Sequence, residues 1–139
     1  MYKMLVFLLS TTARVSGFTT PRAFTRSTTR AFASITENVS FDTVAREWRC
    51  KWSDTNDKAA LSAAQELLTS TEFPKGAKVT RTVCGGCLDF KVAVALPAEE
   101  YGKWSEAGHP PEDEFLAGLK KIEGVTLVET QTFTLMNHN

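Results

Sequence analysis

Residues 79–96, VTRTVCGGCLDFKVAVAL, decide the fold that this chain is predicted to adopt. The first run alternates Val and Arg with two threonines, and the second alternates large apolar residues with small or charged ones. A period of two is typical of half-buried strands, and a Gly-Gly pair between two such runs is a β-hairpin signal. The sequence therefore predicts an antiparallel hairpin that turns at Gly85-Gly86, with a positive φ at Gly86.

The segments before the hairpin predict a strand and then a helix. Residues 44–52 alternate, with Arg46, Trp48, Cys50 and Trp52 on one face and three charged residues on the other. Residues 58–68 are rich in Ala and Leu, which are strong helix formers, and they carry an apolar stripe at helical spacing.

The segments after the hairpin predict a helix and then a strand. Pro97 opens a helix that Gly108-His-Pro-Pro interrupts and that resumes over residues 112–121, with Gly124 as its C-terminal cap. Residues 125–136 form a long strand in which Val125, Leu127, Phe133 and Leu135 share one parity. The other parity is rich in threonine and is predicted to face away from the core.

The order β-α-β-β-α-β predicts an α+β ferredoxin-like fold, an antiparallel four-stranded sheet with two helices on one face. The open face then carries Glu47, Arg49, Lys51, Asp89, Lys91, Ala93, Ala95 and the threonines of the last strand. Two such sheets can stack as a dimeric α/β barrel, and we therefore expect a homodimer. The alternative is an open face that contacts only water.

The N-terminal sequence predicts a targeting presequence. It divides the chain into a presequence at residues 1–36 and a domain at residues 37–139. Residues 1–36 hold five basic residues and no acid, beginning with a basic start and a short apolar run. A signal-like start followed by an Arg/Ser/Thr-rich stretch resembles the bipartite presequences of algae with secondary plastids, such as diatoms. Phe18 is the aromatic residue that such presequences carry after the signal. The resemblance implies a plastid protein.

Charge and hydropathy argue against nucleic acid as a partner and against a membrane-spanning segment. All 16 acidic residues lie after residue 36, against 11 of the 16 basic ones, so the domain carries a net charge near −5. This balance argues against nucleic acid, because phosphate neutralisation supplies most of that affinity. The apolar run near the N-terminus is shorter than the about 20 residues that span a membrane, so we expect a soluble mature protein without a transmembrane segment.

The hairpin and the last helix resemble the ligand-binding domain of Lrp/AsnC-type amino-acid regulators. Gly86 and, three residues on, Asp89 match the spacing before an apolar strand in that family, and residues 115–125 with the Thr-rich end resemble its last helix and strand. The resemblance covers roughly residues 44–136. It implies association through the sheet and a small-molecule site between subunits that includes Gly86 and Asp89. No helix-turn-helix is present, so DNA binding is not implied.

The three cysteines leave several interpretations open. Cys84 and Cys87 form a Cys-X-X-Cys pair, for which we weigh a catalytic dithiol, a regulatory or structural disulfide, and two unlinked turn cysteines. The sequence favours turn cysteines, because no helix N-terminus is predicted there to lower a thiol pKa. A zinc site would need Cys50 and His109 to converge on the pair. We predict neither a metal nor a cofactor.

The remaining candidate residues favour a protein that is not an enzyme. His109 is the internal histidine and the candidate acid–base group, against the plainer interpretation of an exposed loop histidine. Trp48 and Trp52 indicate core packing, or else an aromatic wall for a flat ligand. We therefore predict a ligand-binding or protein-interaction module of the plastid. The alternatives are a dimeric α/β-barrel enzyme for a small apolar or aromatic substrate, and an accessory subunit of a large plastid complex.

Overall fold

A computed structural model of the protein describes residues 33–138. The strands are β1 (Ala33–Thr36), β2 (Val39–Phe41), β3 (Thr43–Trp52), β4 (Lys78–Cys84), β5 (Asp89–Pro97) and β6 (Val125–Leu135). The helices are α1 (Ala59–Ser70), α2 (Ala98–Glu106) and α3 (Glu112–Lys121), with a 3-10 turn at Asn56–Lys58. No helix within residues 33–138 combines the length and the apolar character needed to cross a membrane.

The main sheet has four antiparallel strands in the order β4-β5-β3-β6. The alternating segments of the sequence are therefore confirmed as strands, and the Gly-Gly segment joins β4 to β5 as a hairpin. The first and third strands of the predicted β-α-β-β-α-β order lie in the centre. The architecture is α+β and is compatible with a ferredoxin-like fold.

A separate two-stranded sheet, β1-β2, precedes the main sheet in the chain. The predicted boundary between residues 36 and 37 falls in the turn of this hairpin. Residues 1–32, which hold most of the predicted presequence, lie outside the described residues.

One hydrophobic core fills the space between the sheet and the helices. Trp48, Phe90, Phe115 and Leu119 are fully buried in it. The ring of Trp48 lies 4.9 Å from that of Phe115. Trp52 and Trp104 belong to the same cluster, so the prediction of core tryptophans is confirmed.

Residues 33–138 contain three helices where the predicted fold has two, because the interruption predicted at Gly108-His-Pro-Pro separates two helices. The second predicted helix is split into α2 and α3 at residues 107–111. Gly108 and His109 both adopt positive φ, at 83° and 55°, which ends the right-handed helix. Pro110 and Pro111 follow and supply no backbone N–H to continue it.

The predicted outward parity of the last strand is also wrong for most of its length. In β6, Thr130 lies opposite Trp48, and Thr132 lies opposite Arg46, so these threonines are on the helix side. The register shifts between Thr126 and Glu129, where Leu127 adopts a φ of 49°. A β-bulge inserts one residue and exchanges the two faces beyond it. Glu129, Gln131, Phe133 and Leu135 occupy the open face instead.

A third correction concerns the hairpin turn. Positive φ occurs at Leu88, 54°, and not at Gly86. No atom lies within 4 Å of the position where a Cβ on Gly86 would stand. By contrast, Gly124 has the φ of 85° that its predicted role as a helix cap requires.

Candidate functional site

The face of the main sheet opposite the helices, called here the open face, divides into an apolar half and a charged half. The division follows from the strand register, which sets residues in rows across the sheet. The apolar rows contain Thr43 with Pro97 and Leu135, then Ala45 with Lys78, Ala95 and Phe133. The charged rows contain Arg49 with Thr82, Lys91 and Glu129, then Lys51 with Cys84, Asp89 and Thr126.

The apolar half has small residues at its centre and larger ones at its edge. Ala45 and Ala95 are buried among their neighbours, whereas Leu135 is 42% exposed. A cleft of about 290 Å³ opens at this end and is lined in part by Thr43, Ala95, Pro97 and Leu135. The side chain of Gln131 donates to Glu47 at 2.8 Å and separates this half from the charged one.

The charged half holds three cations and two anions in adjacent rows. Lys51 Nζ lies 2.7 Å from Asp89 Oδ1, and Lys91 Nζ lies 4.0 Å from Asp89 Oδ2. Arg49 Nε donates to Glu129 at 3.0 Å. The hydrogen bond from Lys51 and the nearby positive charges hold the pKa of Asp89 below its usual value. Asp89 is therefore ionised at neutral pH.

The residues predicted from the hairpin lie at the charged end of this face. Asp89 is directly opposite Cys84 in the β4–β5 ladder, and Gly86 is exposed in the turn. Cys84 and Cys87 are joined in a disulfide with a Cα–Cα distance of 5.5 Å. The interpretation that the sequence favours, two unlinked turn cysteines, is therefore wrong.

A second polar cluster lies on the helix side of the sheet. Arg46 in β3 forms two hydrogen bonds with Glu112 of α3, Nε to Oε2 at 2.6 Å and an Nη atom to Oε1 at 2.8 Å. Trp48 Nε1 donates to the same carboxylate at 2.6 Å. Burial alone would raise the pKa of Glu112, but the hydrogen bonds from Arg46 and Trp48 outweigh it and lower this pKa. The carboxylate is therefore ionised and closely paired.

His109 joins this cluster through Tyr101. The Tyr101 hydroxyl is hydrogen-bonded to His109 Nε2 at 3.1 Å and to Thr132 Oγ1 at 3.0 Å, and Arg46 also donates to Thr132. Burial and the charge of Arg46 lower the pKa of His109, so the imidazole is neutral at pH 7. Since this cluster is on the helix side, it has no access to the interior of a barrel formed by two open faces.

The structure brings some predicted residues together and separates others. Asp89, Cys84 and Cys87 meet at one end of the open face, whereas His109 and Cys50 lie on the other side of the sheet. Cys50 is 2% exposed, and its pKa is raised to about 11, chiefly by burial. The four ligands considered for zinc do not converge, and no group of three or more potential metal ligands occurs within residues 33–138.

Sequence reasoning missed the pairing of Arg46 with Glu112 and the part played by Tyr101. One signal was present, because Arg46 shares its strand parity with two core tryptophans. A charge at a core-facing position requires a partner, and Glu112 is that partner in the structure.

Comparison with known proteins returns no matching family model, no matching curated protein and no matching solved structure.

Proposed function

We propose that this chain is a non-enzymatic ligand-binding module that works as a homodimer, with the open face of its sheet as the contact between the two copies. The observation that carries the proposal is the division of that face into an apolar half and a charged half. The first half would supply the contact between sheets, and the second would bind a small polar ligand.

The apolar half suits contact with another sheet. Stacked sheets lie about 10 Å apart and interdigitate their side chains. Phe133 and Leu135 are the larger apolar side chains of this half, and they lie next to the buried Ala45 and Ala95. A second copy related by a two-fold axis would present the same pattern, as a symmetric contact requires.

The charged half suits a small zwitterion such as an amino acid. Arg49 and Lys91 offer donors for a carboxylate, while Asp89 and Glu129 accept from an ammonium group. Arg49 and Glu129 have side chains that are 38% and 52% exposed. An exposed ion pair contributes at most about 1 kcal/mol, so exchanging such a pair for contacts with a ligand has a small cost. The resemblance to amino-acid regulators points to the same ligand class.

Thermal unfolding of the full chain with each of the standard amino acids tests the ligand. A ligand that binds only the folded state raises the melting temperature as its concentration rises. We expect at least one amino acid to do so, and Asp89→Asn to abolish the shift. Asp113→Asn is the matched control, because it makes the same change on the exposed surface of α3 and should keep the shift. No shift with any amino acid would contradict the proposed ligand class.

The plastid location rests on residues 1–36. A fluorescent protein fused to this segment should enter the plastid of a diatom, and Phe18→Ala should leave it outside that organelle. Fluorescence that stays in the cytosol with the native segment would contradict the location, while leaving the ligand and dimer proposals intact.

An accessory subunit of a larger complex is a second candidate, favoured by the edge strand β4. Val79 and Val83 are 37% and 38% exposed on the helix side of this strand. Edge strands are templates for added strands. If docking there is the function, Val79→Lys should release the chain from a complex isolated from plastids, whereas Ala93→Lys on the open face should not.

A further inference from the structure

The disulfide at the tip of the β4–β5 hairpin is asymmetric in its surroundings. Cys84 is the last residue of β4 and is half-buried, whereas Cys87 is exposed beyond the two glycines. The backbone N–H of Cys87 donates to Cys84 Sγ at 3.1 Å. The two cysteines therefore differ both in exposure and in hydrogen bonding.

We propose that this tip is a thiol–disulfide exchange site for a dithiol reductant, with Cys87 as the sulfur attacked and Cys84 as the leaving thiolate. Exchange begins when a thiolate attacks one sulfur of a disulfide and expels the other. The exposed Cys87 is the accessible one. Expulsion then places the negative charge on Cys84 Sγ, which already accepts an N–H, and such a hydrogen bond stabilises the charged form.

Attack on Cys84, with Cys87 as the leaving thiolate, has neither the accessible target nor the hydrogen-bonded leaving group. The reductant would have to approach Cys84, the half-buried residue of the two. The thiolate would then form at Cys87, whose own amide is directed at Cys84 Sγ. The geometry therefore favours one direction of exchange.

The proposed step balances as a two-electron reduction. The reductant's first sulfur bonds to Cys87 Sγ, and the Cys84–Cys87 bond breaks with its electron pair on Cys84. The reductant's second thiolate then attacks its own first sulfur and releases Cys87 as a thiolate. The reductant leaves as a disulfide, and both hairpin thiolates take protons from water according to their pKa values.

The surrounding contacts confine the change to the tip. Lys51 Nζ donates to Cys87 O at 2.6 Å, and the backbone N–H of Trp52 donates to Leu88 O at 3.0 Å. None of these bonds, and none in the ladder from Lys78 to Cys84, involves a sulfur atom, so all of them can remain when the disulfide opens. Cys50 does not compete, because it is buried in the core and its thiol pKa is about 11.

Trapping of the mixed disulfide tests the direction. The oxidised full chain is mixed with excess glutathione, quenched with acid at short times, alkylated and digested with trypsin. Cleavage after Arg81 and Lys91 gives one peptide with both hairpin cysteines, and fragments between them locate the glutathione. We expect glutathione on Cys87 and the alkyl group on Cys84, in about tenfold excess over the reverse, as one hydrogen bond to a charged group implies.

The same reaction in urea is the control. Unfolding removes the hydrogen bond and the difference in access, so the two adducts should approach equal amounts. Equal amounts from the folded protein, an excess on Cys84, or no adduct on Cys87 at any time would each overturn the proposal.

Discussion

Arg46 and Glu112 are 66 residues apart in the chain and form an ion pair with two hydrogen bonds, at 2.6 and 2.8 Å. The pair joins the central strand β3 to the first turn of α3. Their side chains are 19% and 11% exposed, so neither charge is fully solvated. We interpret the pair as the contact that fixes the α2–α3 region against the sheet.

Removing one partner of this pair should destabilise the fold strongly. Glu112→Gln leaves the Arg46 charge half-buried and without its carboxylate, and we expect a loss of about 2–4 kcal/mol in the free energy of unfolding. Urea denaturation measures it. Asp113→Asn, an exposed neighbour on the same turn, should change the free energy by less than about 0.5 kcal/mol. Equal effects from the two variants would contradict the interpretation of this pair.

The depressed pKa of His109 should make stability depend on pH. Burial and the charge of Arg46 lower this pKa below its usual 6.5. The unfolded chain then binds the proton more readily, so stability is present above pH 6.5 and is lost as the pH falls through the folded value. Melting temperatures at about pH 7.5 and about pH 5.5 should differ more for the parent than for His109→Asn, because that variant lacks the titrating ring. A larger difference for the variant would contradict this sign.

Substitution by alanine should destabilise the fold at Gly124 but not at Gly86. Gly124 has a φ of 85°, and a Cβ there would stand 3.1 Å from Ser53 Cβ, so Gly124→Ala should cost more than about 1 kcal/mol. Gly86→Ala should be nearly neutral, since φ is not positive and the space is open. Chemical denaturation measures the free energy of unfolding of both variants. A larger loss for Gly86→Ala than for Gly124→Ala would show that the hairpin turn is described incorrectly.

The disulfide should contribute a small stability to the folded chain. Its loop is short, and loop-closure entropy for about four residues amounts to about 2 kcal/mol at most. A dithiol reductant should therefore lower the melting temperature of the parent slightly and leave Cys84→Ser/Cys87→Ser unchanged. A shift of the same size in the double variant would show that the reductant acts elsewhere.

The sequence predicts the elements of this fold well because each carries a local signal. The strand pattern of β3, the Ala/Leu stripe of α1 and Gly124 after α3 all depend on neighbours in the chain. The bulge at Leu127 has no such signal, since leucine is not a residue that favours positive φ. That single residue reversed the predicted faces of β6.

The candidate site was predictable only where its residues depend on local strand parity. Asp89 and its hairpin could be placed on the open face, because strand parity fixes the side. The partners of Asp89 and Arg46 depend on sheet order and on packing between distant segments. Contacts such as that between Arg46 and Glu112 cannot be derived from spacing in a single chain.

Light scattering of three full-length proteins tests whether the open face of the sheet joins two copies of this chain. The parent at micromolar concentration should have the mass of a dimer. Ala93→Lys places a charge on the open face and should give the monomer, whereas Ala117→Lys makes the same change on the exposed surface of α3 and should leave the dimer. A monomeric parent, or a dimer that persists in Ala93→Lys, would contradict the account.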